Sequence, residues 1–200
     1  MSDSYRGFWD RYVLFIGAIF IALIYYFAIW ILAYVQLQTV EKKVGSEFKW
    51  FKVYNYDAYL PAIDVLDPTG QNVNITDSGG QYTILNIWAT WCAPCVKELP
   101  SLKQLDTTLK RGKKWRVIAV SIDFQENLGK LSAFTKKYDV EDIANYYDYK
   151  RGIQKNVNVG SLPVTLILNP SGKILYEIHG DALWHSKEII DFLRLVEKVH

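Results

Sequence analysis

Apolar and polar positions alternate along this chain in three different rhythms. The first is a block with no alternation at all: no charged residue occurs from Tyr12 to Val40, and Val13–Val35 is almost wholly apolar. At 1.5 Å rise per residue that run spans about 35 Å as a helix, enough to cross a bilayer with some tilt. Trp9 and Tyr12 before it, and Tyr34 near its end, suit the interfacial positions of a spanning helix. A cleavable signal peptide has a shorter apolar region followed by a small-residue cleavage site, which is lacking here. The pattern therefore predicts a short cytoplasmic tail at 1–12 and an uncleaved transmembrane anchor at 13–37.

The second rhythm is that of buried strands. Tyr82–Ala89 reads Tyr-Thr-Ile-Leu-Asn-Ile-Trp-Ala, apolar on both faces, and Trp115–Ile122 repeats the pattern. Val164–Leu168 and Ile174–His179 are further strands, joined by the turn Asn169-Pro170-Ser171-Gly172. Ala62–Leu66 and Gln71–Ile75 flank Asp67-Pro68-Thr69-Gly70 and predict a β-hairpin, after which Ser78-Gly79-Gly80 breaks the chain. The third rhythm is helical. Val96, Leu99, Leu102, Leu105 and Leu109 recur at three- and four-residue spacing, so this helix buries one stripe, and Pro100 bends it without ending it. Leu128, Leu131, Phe134 and Tyr138 mark a second helix. Ser186 caps a last one, in which Ile189, Ile190, Leu193 and Val196 face inward.

Two stretches carry no clean period. Residues 38–60 mix charges with Phe48, Trp50, Phe51, Tyr54, Tyr56 and Tyr59, and read as a linker. Residues 139–160 are polar and tyrosine-rich, with a short helix around Arg151–Asn156. Residues 61–200 thus form an α/β domain ordered hairpin, then β-α-β-α-β-β-α.

Composition narrows the function more than the fold. The chain has 200 residues, half of them hydrophobic, and a net charge of +2, which suits one domain plus an appendage. So small and scattered a charge gives no nucleic-acid surface. There are two cysteines and three histidines, and both cysteines lie in Trp91-Cys92-Ala93-Pro94-Cys95, where the first central strand passes into a helix. A disulfide framework is excluded by that count. At a helix start, unpaired N–H groups and the positive end of the dipole favour a thiolate, so the Cys92 pKa is expected to fall below about 8.5. Cys95, one turn later, is the more buried and poised to attack the first sulfur. Pro94 fits early in the helix, where a missing N–H costs little. The geometry is that of thiol-disulfide exchange.

Other uses of the pair are less well served. Structural zinc takes four protein ligands, and His179, His185 and His200 are all far downstream. Two thiolates can hold Cu(I). A purely structural disulfide across so short a loop constrains the unfolded chain little. His179 and His185 read as a strand residue and a polar position near a helix start. In Leu162-Pro163-Val164-Thr165, the proline cannot donate to a ladder and belongs at the strand start; alone, its prior for a cis bond is only about 5%.

Taken together, the cysteine pentapeptide at a strand-helix junction and the later Leu162-Pro163-Val164-Thr165 resemble the thioredoxin superfamily. The stretch Leu85–Pro100 is similar to its membrane-anchored extracytoplasmic branch, the TlpA, ResA and CcmG (DsbE) group, and Gly180-Asp181-Ala182-Leu183-Trp184 looks most like TlpA. The resemblance covers about residues 60–200. It implies a thioredoxin fold, a central mixed sheet flanked by helices, with an N-terminal β-hairpin extension. It makes Cys92 the attacking thiol, Cys95 the resolving one, and Cys92–Cys95 a disulfide in the oxidised form. Pro163 becomes a cis-proline facing the pair, whose neighbouring backbone pairs with an extended substrate segment. Where cytoplasmic thioredoxins have a buried Asp, this chain has Asn86. The ResA-like branch has a glutamate at the position of Glu98, one turn beyond Cys95, within reach to shift thiol pKa values or move a proton; the other reading is an exposed glutamate beside Lys97. Trp91 either covers the site and contacts partners or caps the core. Residues 139–160 are either an insertion that shapes the partner surface or a plain loop.

The expected function is a membrane-anchored periplasmic protein-disulfide reductase in respiratory-chain biogenesis. Its implied clients are a copper chaperone, an oxidase copper-site subunit or apocytochrome c. A membrane electron donor of the DsbD or CcdA type restores the dithiol, and no dissociable cofactor is implied. A disulfide oxidase and a non-enzymatic copper carrier are the alternatives. Orientation sets two arguments against each other. Arg6 and Arg11 precede the span whereas Lys42, Lys43, Lys49 and Lys52 follow it, and this count places the C-terminal side in the cytoplasm. The opposite orientation, in the bacterial inner membrane, is expected because long domains translocate largely regardless of charge and reduction needs an oxidising compartment to act against.

Overall fold

The computed structural model describes residues 3–46, 50–54, 57–67, 69–123, 128–144, 146–157 and 159–200. Expectations placed on Phe48, Lys49, Tyr56 and Pro68 lie outside them, as do those on the side chains of Arg6, Trp9, Arg11, Tyr12, Lys43, Trp50 and Leu128. The chain divides into two compact units, one comprising residues up to Lys42 with Asp191–His200, the other Lys43–Ile190.

The first unit is built on α1 (Asp3–Gly45), in which Val13–Lys42 is long and apolar enough to cross a membrane, with a mean hydropathy of 2.5 and none of its most apolar window buried. Phe27, Trp30 and Tyr34 stack in sequence, with ring centroids 6.2 and 5.7 Å apart. The helix does not stop at 37, because Gln, Leu, Glu and Lys in Leu37–Lys43 are good helix formers that let it propagate. The final helix, α6 (Lys187–Val199), begins after Ser186, whose Oγ accepts from the Ile189 N–H at 3.4 Å. In its later part Phe192, Leu193 and Val196 are buried, whereas Ile190 is only half-buried, so Phe192 holds a core position assigned to Ile190 from spacing.

The second unit holds the strands β1 (Trp50–Val53), β2 (Asp64–Leu66), β3 (Asn72–Asn74), β4 (Tyr82–Trp88), β5 (Trp115–Ser121), β6 (Tyr146–Tyr147), β7 (Val164–Leu168) and β8 (Ile174–His179), in a mixed sheet ordered β1-β8-β7-β4-β5-β6-β2-β3. Its centre is β4 (Tyr82–Trp88), every residue of which is buried. It runs parallel to β5 (Trp115–Ser121) and antiparallel to β7 (Val164–Leu168), which pairs in turn with β8 (Ile174–His179). Pleating divides the β4 side chains between two faces. Leu85 and Ile87 join Ile118, Val120, Val164 and Leu166 in the core on one face. Asn86 lies on the other, the face toward Glu98 of α2 (Ala93–Lys110), in which Leu99, Leu102 and Leu105 are fully buried. Pro100 lies within α2, which continues across it as expected.

The predicted hairpin is present as β2 (Asp64–Leu66) and β3 (Asn72–Asn74). Its turn is held by the Asp67 carboxylate, which accepts from the N–H groups of Thr69 and Gln71 at 2.8 and 2.9 Å. The helix α3 (Leu128–Lys137) also lies where its spacing placed it.

Two aperiodic stretches prove to be parts of the sheet. Within the presumed linker 38–60, β1 (Trp50–Val53) pairs antiparallel with β8, Trp50 opposite His179. Trp, Phe and Val favour a pleated surface, but a four-residue edge strand is too short to show a period. Residues 139–160 are not a plain loop. They hold α4 (Glu141–Ala144), β6 (Tyr146–Tyr147) and α5 (Gly152–Asn156), and β6 joins β5 to β2, tying the hairpin into the sheet. Asp148 fixes this segment by accepting from the N–H groups of Gly152, Ile153 and Gln154 at 2.7, 3.0 and 3.3 Å. Gly152 is required there, since a Cβ would stand 2.9 Å from Ile63 Cγ2.

Candidate active site

The site forms where β4 gives way to α2. Cys92 is the N-cap of α2, with extended backbone (φ −90°, ψ 97°), and its Sγ accepts from the Cys95 N–H at 3.3 Å. Pro94 stands in the first turn, where its lack of an N–H leaves no intrahelical bond unmade. The two cysteines are joined as a disulfide. Cys92 is 6% exposed and Cys95 fully buried, so in this oxidised form Cys92 is the sulfur nearer solvent.

The turn leading into the pair is tethered from the next strand. Asp123, just past β5, accepts from Thr90 N–H at 2.9 Å and Thr90 Oγ1–H at 2.7 Å, and Ser121 Oγ donates to it at 2.6 Å. Nothing in the local pattern singled out Asp123; its partner Thr90 is thirty-three residues away. Trp91, between this tether and Cys92, is 63% exposed, which rules out a cap on the core. It borders a cavity of about 180 Å³ that Asp123, Tyr147, Tyr149, Arg151 and Gln154 also line, so the 139–160 insertion does reach the surface beside the pair.

Glu98 is not the exposed glutamate its neighbour Lys97 suggested. It is 2% exposed and receives three N–H donors. Asn86 Nδ2 donates to Oε1 at 2.8 Å, while Trp184 Nε1 and the Ala182 N–H donate to Oε2 at 2.7 and 3.0 Å. Burial pushes its pKa up from 4.5 to about 7; the hydrogen bonds from Trp184, Asn86 and Ala182 oppose that rise, and the charge of Asp181 adds to it. Ser101 Oγ–H donates to the Ala182 carbonyl at 3.2 Å and accepts from the Trp184 N–H at 3.1 Å, holding the loop after β8 on α2. A cavity of about 320 Å³ adjoins Glu98, lined also by Lys97, Ser101, Asp181, Ala182 and Leu183. Trp184 was visible in sequence only within the Gly180–Trp184 segment; that its indole reaches Glu98 follows from folding.

Pro163 is buried and the Leu162–Pro163 bond is cis. Val164 pairs with Ile87, so Pro163 lies at the end of the sheet from which β4 delivers the cysteines. The Gly180 N–H donates to the Pro163 carbonyl at 3.0 Å. Thr165, beside Asn86 in the register, accepts from Asn86 Nδ2 at 2.9 Å. His179 lies apart from this network, its Nε2 3.0 Å from Glu177 Oε1, and His185 is half-buried in the loop before α6. Among the described residues, no three His, Cys, Asp or Glu side chains come together as a metal site.

The chain is similar to known proteins in sequence and in fold. Residues 79–174 match the thioredoxin-like family. ResA, the thiol-disulfide oxidoreductase of Bacillus thuringiensis subsp. konkukian (strain 97-27), is 31% identical over 121 residues, covering 60% of this chain and 68% of that protein. The thioredoxin-like protein YneN of Bacillus subtilis is 35% identical over 112 residues, covering 56% of this chain and 63% of YneN. Among solved structures, a thioredoxin-like protein from Porphyromonas gingivalis superposes with a TM-score of 0.58 at 27% identity, covering 73% of this chain and 97% of its own. A putative thiol:disulfide interchange protein DsbE from Chlorobium tepidum gives 0.59 at 22% identity, covering 73% and 99%, a likeness of fold. With a cysteine pair at the start of α2 and ResA matched over two thirds of its length, the chain belongs to the thioredoxin-like thiol-disulfide oxidoreductases of the ResA type.

Proposed function

We propose that the protein is a membrane-anchored protein-disulfide reductase whose redox domain faces the periplasm. The observation that carries this reading is the position of Cys92: the N-cap of α2, the more exposed of the pair, and at the same sheet end as cis-Pro163. In the reduced protein the Cys92 thiolate attacks one sulfur of a client disulfide; that S–S bond breaks, one client thiolate leaves, and a mixed disulfide forms. Cys95, after losing its proton to the Glu98 carboxylate, attacks Cys92 Sγ and releases the second client thiolate. Two electrons pass to the client and Cys92–Cys95 is left as the disulfide. Trp91 and the backbone beside Pro163 receive the client, Pro94 stiffens the turn, and Asn86 holds Glu98.

Val13–Lys42 supports the anchor, with residues 1–12 cytoplasmic and the redox domain following it. The likeness of Leu85–Pro100 and Gly180–Trp184 to the TlpA, ResA and CcmG group supports clients in respiratory-chain assembly, copper-site thiols of an oxidase or its chaperone ahead of apocytochrome c. A DsbD- or CcdA-type membrane protein returns the electrons.

Direction is tested by redox titration of the pair against glutathione or dithiothreitol. A reductase is expected to have a potential nearer the thioredoxin value of about −270 mV, whereas one near about −120 mV reverses the assignment to an oxidase. Topology is tested by placing a single cysteine at exposed Lys155 of a Cys92→Ser/Cys95→Ser chain. A membrane-impermeant maleimide should label it in intact cells; labelling only after lysis puts the domain in the cytoplasm.

A further inference from the structure

Glu98 is surrounded by donors. Asn86 Nδ2, Trp184 Nε1 and the Ala182 N–H all point at its two oxygens, which suits an ionised carboxylate, an acceptor only. The protonated form has a proton to give, and none of these three N–H groups can take it. An indole N–H and a backbone N–H have no acceptor on the same atom. The Asn86 side chain does, in its Oδ1, and that oxygen is buried with no partner among the described residues, on a residue 0% exposed. A buried amide that uses both donors and leaves its acceptor unmet calls for an explanation. Half a turn about the terminal side-chain bond exchanges Oδ1 and Nδ2. Oδ1 then faces Glu98 Oε1 and Thr165 Oγ1, the two atoms that Nδ2 meets at 2.8 and 2.9 Å. The Thr165 hydroxyl serves either orientation, since it accepts from an N–H and donates to a carbonyl.

We propose that Asn86 is a two-way hydrogen-bond partner of Glu98, its amide donating to the carboxylate and turning over to accept from the carboxylic acid when the proton arrives. Glu98 can then take up and release a proton with no movement of α2 or β4. Asn86 is a positioning residue, acting through Glu98. An aspartate there would set a second carboxylate against Glu98, whereas a leucine would offer neither donor nor acceptor. The other charged group acting on Glu98 is Asp181, on the loop after β8, which is itself paired with Lys97 of α2 at 2.9 Å. Cys95 precedes Glu98 by one turn on α2 and does not titrate in the disulfide form.

The oxidised full-length chain in detergent micelles allows a direct test, with ¹³C in the glutamate carboxyls and ¹⁵N in the asparagine side-chain amides, followed by NMR from pH 5 to 9. The Asn86 amide resonances are expected to shift with the same midpoint as the Glu98 carboxyl, and Asn86→Leu should leave that midpoint within about half a pH unit, because the amide it removes serves both forms of the acid. Asn86 resonances that stay fixed while Glu98 titrates, or a midpoint raised by about one to two pH units in Asn86→Leu, the mark of a partner of the charged form alone, would overturn the proposal. The wild-type titration alone decides it if the variant does not fold. No turnover is measured, so failure here leaves the reductase reading standing, and an oxidising potential leaves this inference standing.

Discussion

Replacing Cys92 with serine is expected to abolish reduction of protein disulfides, lowering turnover by at least ~10³-fold, because no other group at the site can form the mixed disulfide. Cys95→Ser should lose turnover as completely yet keep the first half of the reaction. The two variants fail for different reasons. Without Cys92 there is no nucleophile within reach of a client, since Cys95 is fully buried. Without Cys95 the attack still occurs, but nothing cleaves the intermediate except an outside thiol. Single-turnover reaction of each reduced variant with an aromatic disulfide separates them: Cys95→Ser should release one equivalent of thiol at close to the wild-type rate, Cys92→Ser essentially none. Fast release from Cys92→Ser would assign the attack to Cys95.

Substituting Glu98 with glutamine should change both the rate and the pH dependence of stability. Its folded pKa, about 7, lies above the ordinary glutamate value of 4.5. The native state therefore holds a proton that the unfolded chain has already lost between those values. That contribution, roughly 3 kcal/mol in all, is fully present below about 4.5 and is lost as pH rises through about 7. Denaturant unfolding of the oxidised protein should accordingly show stability falling from pH 5 to pH 8. Glu98→Gln removes the ionisation and should flatten that part of the profile. For catalysis the sign is opposite, since only the ionised carboxylate can take the Cys95 proton. The ratio of wild-type to variant turnover should grow as pH rises through about 7, toward the 10²-fold that a positioned general base typically supplies. A constant ratio across pH 5.5–8.5 would remove Glu98 from the proton path and leave it a structural acid.

What could be read from the chain, and what could not, divides by the range of the interactions. Cys92, Pro94 and the stripe Leu99, Leu102 and Leu105 depend on neighbours within a few turns, and the helix they predict is there. The central strands are legible for the same reason, being continuous apolar runs that only a doubly covered sheet can bury. The strand at Trp50–Val53 was not, because its partner β8 lies more than a hundred residues away and its own pattern is too short to fix a period. Tyr146–Tyr147 is shorter still. Within the site, the sequence left Glu98 between two readings, a group one turn beyond Cys95 and an exposed glutamate beside Lys97. Its burial, and the convergence of Asn86 from β4, Trp184 from the loop after β8 and Thr165 from β7, are products of register. Asp123 is the same case, an acid at a strand end whose partner Thr90 becomes a neighbour only when β4 and β5 pair.

Protein-disulfide exchange passes through one intermediate, a covalent bond between Cys92 and a client sulfur. Full-length Cys95→Ser protein, expressed in a bacterial inner membrane and purified after acid quenching of thiols, should carry protein partners that dissociate on reduction and are absent from the Cys92→Ser/Cys95→Ser control. Mass spectrometry should map the cross-link to Cys92 on this chain and to one cysteine of each partner. Recovery of the single variant with Cys92 reduced or joined only to small thiols, and with no protein partner above the control, would contradict protein-disulfide exchange as its function.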